Sequence, residues 1–447
     1  MTPLAASLTA SLDPVDAFPT VDEMAAFAAR LADQHPDRVT REVVGRSRAG
    51  DPISLLSIRC PQARGRVLVI GQPHPNEPIG MATVIALCDW LLSDPTALSG
   101  SAVDWHFIPV ADPDGTRLNE GWFAGPWTRE HYARNFYRPA GDQQVEWTFP
   151  FRTEGFAVEE PMPETLALMA AIDEVRPTVL ASLHNGEMGG GYFYVNTGES
   201  PAYYESLGAL CHEHGIPLHL GDPETPFSEL LAPAVFSVPT AQQIFDFMTA
   251  VGADPADVVT GANSAEYAER HGHVTGLAIE LPYWRDDRSE DTSPDASGRA
   301  LREVMLSGLD LQDELNATVR ELMALAPMPP SPFADAVEGF AGSLSDGYLD
   351  VQRAEASSSP EGDRPATVAE VFSIMDNVHM FRLRLGGMLL RALPAGTPAH
   401  ERAEQVFAQW CAEAAADNKA QPIPIRDLVA VQAGAILAAV EQSLARS

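Results

Sequence analysis

Arg66-Val67-Leu68-Val69-Ile70-Gly71-Gln72-Pro73-His74-Pro75-Asn76-Glu77 is the stretch from which the fold can be read. Its first half is an apolar, β-rich run that reads as a buried strand, and it stops on His74 and Glu77. Two later segments repeat the arrangement. Thr178-Val179-Leu180-Ala181-Ser182-Leu183 stops at His184, and Leu277-Ala278-Ile279 stops at Glu280-Leu281-Pro282. In an open α/β sheet ligands gather outside the carboxyl ends of the strands, so residues about 100 positions apart can converge on one ion. Two imidazoles and one carboxylate leave the fourth position of a zinc ion open to water, the arrangement of a catalytic rather than a structural site.

The surrounding pattern alternates strands and helices. Residues 21–35 place Met24, Phe27, Ala28 and Leu31 at helical spacing, with Thr20 or Asp22 as N-cap. Thr40–Val44 and Ile53–Ile58 flank a glycine-bearing turn, Ile79–Leu92 reads as an amphipathic helix, and Trp105–Val110 as a strand entering Asp112-Pro113-Asp114-Gly115. Such alternation indicates an α/β fold with a largely parallel sheet. From Gly121 to Phe156 the chain is rich in aromatics, Pro and Arg without clear periodicity, and this irregular segment is expected to wall a pocket. A helix over Pro163–Val175 precedes the strand to His184, and Gly189-Gly190-Gly191 leads into a strand at Tyr192–Asn196.

After Glu280 the pattern turns helical, starting with Arg299–Leu325. Pro327, Pro329, Pro330 and Pro332 mark a boundary, since proline lacks a backbone donor and resists continuing a helix. The expected division is a catalytic unit at 15–327 and a helical C-terminal region at 334–447. The latter has helices at Ala334–Gln352, Val368–Ala392, His400–Ala416 and Ile425–Leu444, and a mobile loop at Glu355–Pro365. The apolar stripe Phe372, Met375, Met380, Leu383, Leu385, Met388, Leu389, Leu390 belongs in a core or in a homo-oligomer interface.

Composition narrows the partners. Lys and Arg total 29 against 62 Asp and Glu among 447 residues, a formal charge of −33 that repels nucleic acid and anionic membrane. No apolar run of about 18 residues and no basic-then-apolar leader is visible, which predicts a soluble, cytoplasmic protein. Cys60, Cys88, Cys211 and Cys411 are scattered with no C-x-x-C pair and read as reduced, mostly buried thiols.

His74-x-x-Glu77 taken alone is a short motif whose plainer reading is a polar turn, and His184 taken alone reads as a buried histidine bonded to a carbonyl. Position strengthens both: the first pair is stiffened by Pro73, Pro75 and Pro78, and all lie at strand ends. Glu280 follows an apolar strand, where an unpartnered carboxylate is costly; near a metal it is placed to act as general base and then general acid.

Over residues 18–285 the chain resembles the zinc carboxypeptidases of the carboxypeptidase A type. Pro19 to Met24, Gly45-Arg46-Ser47 and Asp51-Pro52-Ile53 resemble the start of that family's catalytic domain. His74-x-x-Glu77 resembles its paired ligands, Asp112-Pro113-Asp114-Gly115 its Asn-Pro-Asp-Gly loop, His184 its third ligand and Glu280 its catalytic glutamate. The resemblance implies an eight-stranded, mostly parallel mixed twisted sheet flanked by helices, with a C-terminal helical extension. It implies one Zn²⁺ per chain and hydrolysis at the C-terminus of a peptide or peptide-like substrate. The family's Asn-Arg pair for the substrate carboxylate falls on Ala133-Arg134-Asn135, with alanine in place of asparagine, so Arg134 is the expected clasp and Asn135 or Arg138 its assistant. The alternative is that Arg134 and Arg138 are a solvated surface pair. Arg129 and Arg117 compete for the role of oxyanion arginine, Arg129 being favoured, and Tyr267 corresponds loosely to the family's mobile tyrosine. His131 and Tyr132 stand where the family orients its first histidine with an acid, a task left to Asp112 or Asp114. A zinc deacylase of the aspartoacylase and succinylglutamate desuccinylase type, acting on small N-acyl amino acids, is the competing enzyme. A catalytically silent binding module is the competing non-enzyme, which retention of the metal set and Glu280 disfavours.

Overall fold

The computed structural model describes residues 2–446 apart from 223, 224, 226, 227, 344 and 345. Thr20 caps helix α1 (Val21–Gln34) in a reciprocal box with Glu23. An antiparallel pair follows, β1 (Val39–Arg46) and β2 (Pro52–Ile58), then β3 (Gly65–Ile70), helix α2 (Ile79–Ser93) and β4 (Val103–Ile108). Helices α3 (Arg129–Asn135) and α4 (Pro163–Val175) precede β5 (Val179–His184), β6 (Tyr192–Val195), β7 (Leu230–Ala232), β8 (Val235–Ser237) and β9 (Thr275–Glu280).

These strands form one mixed sheet in the order β1-β2-β4-β3-β5-β9-β6-β8-β7. The α/β class is as expected, with nine strands in this sheet among the described residues rather than eight. The strands not read from the sequence are β7 and β8, three residues each and joined with a register shift, too short to leave an alternation. At the centre β4, β3, β5 and β9 run parallel. Val67 to Ile70 and the whole of β5 are buried, which is why these strands read as unbroken apolar runs. Ile70 pairs with Ser182, His184 with Glu280, and Glu280 with Tyr192. Directly paired residues share a face of the sheet, so His184, Glu280 and Tyr192 stand in a row at its carboxyl rim.

Helix α2 departs from expectation: it is buried nearly all round rather than amphipathic, with Gly80, Met81, Thr83, Val84, Leu87 and Cys88 all enclosed. Its inner side presses on β5, where a Cβ at Gly80 would lie 2.8 Å from Leu183 Cβ. Its outer side is covered by a C-terminal helix. That region consists of α5 (Leu301–Leu325), α6 (Val368–Ala392), α7 (Pro398–Asp417) and α8 (Ile425–Arg446), with further helices at Pro332–Ser343 and Asp346–Ser358. The expected helix Ala334–Gln352 includes 344 and 345, which lie outside the described residues. Segment 355–365 is not a free loop: the helix persists to Ser358, and Leu301 and Arg302 donate backbone bonds to Arg364 and Gly362.

The proline-rich stretch does not divide the core. One apolar cluster contains Leu183 and Ile279 of the sheet, Leu385 and Met388 of α6, and Val431 and Ile436 of α8. A small sheet joins Trp284–Arg285 to both Met188–Gly189 and Gln421–Pro422. Helix α6 crosses α3 so closely that a Cβ at Gly387 would fall 1.8 Å from the Ala133 carbonyl oxygen. Of the stripe, Phe372, Leu383, Leu385, Met388 and Leu389 are buried in this chain's own core, while Met375, Met380 and Leu390 are partly buried. Helix α8 is long and apolar enough by composition to cross a membrane, but 72% of its apolar window is buried inside the fold.

Candidate metal centre and active site

Beyond β3 the chain makes a tight turn. Gln72 adopts a left-handed φ of 54° and its side-chain amide donates to the Pro75 carbonyl at 2.8 Å. A non-glycine residue in that region is strained, and here the strain holds the turn that presents His74 and Glu77. With His184 at the end of β5, these residues offer three ligand atoms within 4.8 Å of one another, all buried. The His74 and His184 rings lie 4.9 Å apart between centroids. Glu77 Oε2 faces His184 Nδ1 and the Asn185 amide, each at 3.2 Å, while Glu77 Oε1 accepts from Arg138 Nη1 at 2.6 Å.

The donor set fits zinc. His74 Nδ1 is buried without a hydrogen-bond partner, an arrangement that is costly in a closed protein and is resolved when the nitrogen ligates a cation. Burial, reinforced by Arg138, holds the His74 imidazole well below its ordinary pKa, in the neutral form that ligates. Burial would raise Glu77, but the Arg138 guanidinium and the His184 ring outweigh it and keep the carboxylate ionised. Burial likewise opposes charge on His184, yet the hydrogen bond to Glu77 and the nearby Glu280 push it up to about 9. Ligation through His184 requires the neutral ring, so binding of a cation there would release a proton.

Glu280 stands just outside the triad. Its Oε1 lies 3.8 Å from His184 Nδ1 and its side chain is 13% exposed, so it is next to the ligands yet reachable by water. Trp147, from the aromatic segment 121–156, stacks on His74 at 6.2 Å with the rings 23° from parallel. Glu146, next to Trp147, is buried, accepts from Ser264 and is raised chiefly by desolvation. Neither it nor the cross-strand neighbour Tyr192 was picked out from the sequence; the register at β9 is the signal that finds Tyr192.

The remaining expected site residues are engaged elsewhere. Arg129 is buried and gives Nε and Nη2 to Glu187 Oε1 and Nη1 to Asp376. Arg134 bonds Glu130 and, through both terminal nitrogens, Glu404, and it lies over the Phe407 ring. Asn135 donates to the His131 carbonyl. Arg117 is paired with Asp51 and Asp22 toward solvent. The Tyr267 hydroxyl bonds Asp173 while Arg270 covers its ring, and the side chain packs on Phe149. Asp112 caps Gly115, and Asp114 accepts from Ser47 and Ala49, so neither orients His74. The arginine that does reach the centre is Arg138, expected only as an assistant.

Residues 24–269, more than half of the chain, match the zinc carboxypeptidase (peptidase M14) family. The chain belongs to the zinc carboxypeptidase family. Carboxypeptidase SOL1 of Arabidopsis thaliana is 26% identical over 172 residues, 36% of this chain and 32% of that protein. The aligned part is thus about a third of that relative's length. Among solved structures, carboxypeptidase A from Helicoverpa armigera superposes with a TM-score of 0.40 at 15% identity, covering 80% of each chain. A metallo-carboxypeptidase from Burkholderia cenocepacia gives 0.35 at 19% identity over 62% of each. The family match contains His74, Glu77 and His184 but ends before Glu280 and the C-terminal helices.

Proposed function

We propose that this zinc carboxypeptidase family member is a metallocarboxypeptidase that binds one zinc ion per chain through His74, Glu77 and His184 and cleaves the C-terminal amide bond of a peptide or peptide-like small substrate. The observation that carries the proposal is the convergence of those three ligands with Glu280, whose Oε1 is 3.8 Å from His184 Nδ1. Zinc, when bound in such a site, polarises the scissile carbonyl and makes water a stronger acid. Glu280 accepts a proton from water and returns it to the departing nitrogen. Arg138 supplies the cation beside the ligands, suited to a carboxylate or a developing oxyanion. Trp147, stacked on His74, excludes solvent from one side. The charge of −33 supports peptide-sized partners over nucleic acid or anionic membrane, and the free cysteines support a cytoplasmic setting.

The engagement of Arg134 with Glu404 favours a second reading, because the clasp expected for a free carboxylate is spent. That reading is a zinc deacylase of small N-acyl amino acids. Two measurements test the pair. Glu280→Gln is expected to retain zinc and lose hydrolysis, and near-normal turnover would mean another base. Cleavage of free-acid peptides with none of their C-terminal amides supports the carboxypeptidase; equal cleavage of both, or N-acyl amino acids as the preferred substrates, supports the deacylase.

A further inference from the structure

Gln432 is fully buried in the middle of α8, flanked by Val429, Ala430, Val431, Ala433, Gly434 and Ala435. An amide in such a helix is costly unless both its donor and its acceptor are satisfied. Here Nε2 donates to the His184 carbonyl at 3.0 Å, and Oε1 accepts from Thr83 Oγ1 at 2.7 Å. Thr83 is itself buried in α2, the helix that begins at Ile79, directly after the turn bearing His74 and Glu77. A single side chain from the far end of the sequence therefore ties together the two segments that hold the metal ligands.

The bond to the His184 carbonyl has leverage because that peptide group belongs to the site on both sides. On one side is the His184 ring. On the other is the Asn185 amide, which donates to Glu77 Oε2 at 3.2 Å, while Asn185 Oδ1 accepts from the Ile79 amide and the Tyr283 hydroxyl. Rotation of the 184–185 peptide plane would swing His184 and withdraw a donor from Glu77 together. The next turn of the chain is also pinned from the C-terminal region, since Arg384 of α6 bonds Glu187 at 3.0 Å.

We propose that Gln432 is a positioning residue of the metal centre: it fixes the His184–Asn185 peptide against Thr83 and so sets the geometry in which His184 and Glu77 meet the ion. It lies outside the family-matched residues 24–269, so the C-terminal helices are part of the site rather than an appendage to it. The inference rests on the zinc reading above.

The test is the zinc Kd of the full-length protein, measured by competition with a chromophoric chelator, for wild type, Gln432→Met, Thr83→Val and the double variant. Loss of an outer partner of a ligand typically weakens metal binding by about 10–100-fold, and Gln432→Met is expected at the lower end. Thr83→Val should weaken zinc severalfold, and the double variant should be no weaker than Gln432→Met, because both remove the same tether. A purely structural Gln432 would lower the melting temperatures of zinc-free and zinc-loaded protein equally and leave Kd within about twofold of wild type, which overturns the inference. Should Gln432→Met fail to fold, a Thr83→Val variant that binds zinc like wild type overturns it equally. A wild-type chain that takes up no zinc refutes the functional reading itself; tight zinc in wild type with unchanged variants refutes only the role of Gln432.

Discussion

Replacing Arg138 by methionine isolates the charge balance at Glu77. The contact of 2.6 Å joins side chains that are 17% and 3% exposed, so solvent screens it little. Without the guanidinium, the Glu77 carboxylate is left to the His184 ring and the Asn185 amide. Breaking one side of a buried pair typically costs about 3–5 kcal/mol, and the partial exposure of Arg138 places the loss in the zinc-free protein near the lower bound. In the zinc-loaded protein the ion itself neutralises Glu77, and loss of a neighbouring positive charge relieves repulsion, so the loss there is smaller by roughly 2 kcal/mol. The cycle then requires zinc to bind the variant more tightly, by about thirtyfold. Methionine keeps most of the stem's apolar contact and so confines the change to the guanidinium's charge and its hydrogen bonds to Glu77, Asn76 and Gln144. Equilibrium urea unfolding with and without zinc, combined with chelator competition, measures all sides of the cycle. Weaker zinc binding in Arg138→Met, or a zinc-free stability within about 0.5 kcal/mol of wild type, would refute the reasoning.

Arg134→Ala is expected to leave kcat/KM on any cleaved free-acid substrate within about twofold, since its donors are held by Glu130 and Glu404. Its cost is to stability, about 1 kcal/mol or less for so exposed a set of pairs, read by urea unfolding; a large loss of kcat/KM would return it to the substrate site. Asp112 supplies a pH signature. Burial, opposed by the Gly115 amide and reinforced by Glu164, pushes it up to about 7. An acid raised on folding is protonated in the folded chain after it has ionised in the unfolded one, so its contribution is intact below pH of about 4 and is lost as pH rises through about 7. Asp112→Asn keeps the Oδ1 cap on Gly115 and cannot ionise. Its stability relative to wild type should therefore climb between those pH values by a few kcal/mol, and a flat difference in urea unfolding would contradict a buried, titrating Asp112.

What was legible in the sequence is what local pattern determines. Strands buried on both faces announce themselves as apolar runs, and parallel topology puts their ends together, which is why the convergence of His74, Glu77, His184 and Glu280 is legible in the chain itself. Pro163–Val175 and Val368–Ala392 have the boundaries their pattern predicts; Thr367 and Glu370 form a capping box at the start of the second. Burial set by distant chain was not legible. Nothing within Ile79–Ser93 says that α8 covers its outer side, and nothing near Pro327 says that the helices beyond it return to the sheet. Gln432 carries no local signal for the same reason, since its two partners lie 349 and 248 positions away.

The arginines show why substrate recognition is the hardest part to read. Sequence position offers Arg117, Arg129, Arg134 and Arg138 within one short stretch, and a guanidinium goes to whichever carboxylate the fold brings near. For two of them that carboxylate comes from the C-terminal helices: Asp376 of α6 takes Arg129, and Glu404 of α7 takes Arg134, with Phe407 beneath its charge. The same helix α6 sends Arg384 to Glu187, completing a buried cluster with Arg129 and Asp376 beside the strand that ends in His184. The extension therefore does two opposite things at one site. It supports the backbone around His184, and it engages Arg129 and Arg134, two of the arginines expected at the substrate. Arg138 is left as the cation at the ligands because its own partners, Glu77, Asn76 and Gln144, all lie within the catalytic part of the chain. A change in the C-terminal helices, such as Glu404→Gln, should on this logic loosen Arg134, which keeps Glu130, without touching zinc; a gain in preference for free-acid over amidated peptides in that variant would show that the extension sets the specificity, and an unchanged preference would refute it.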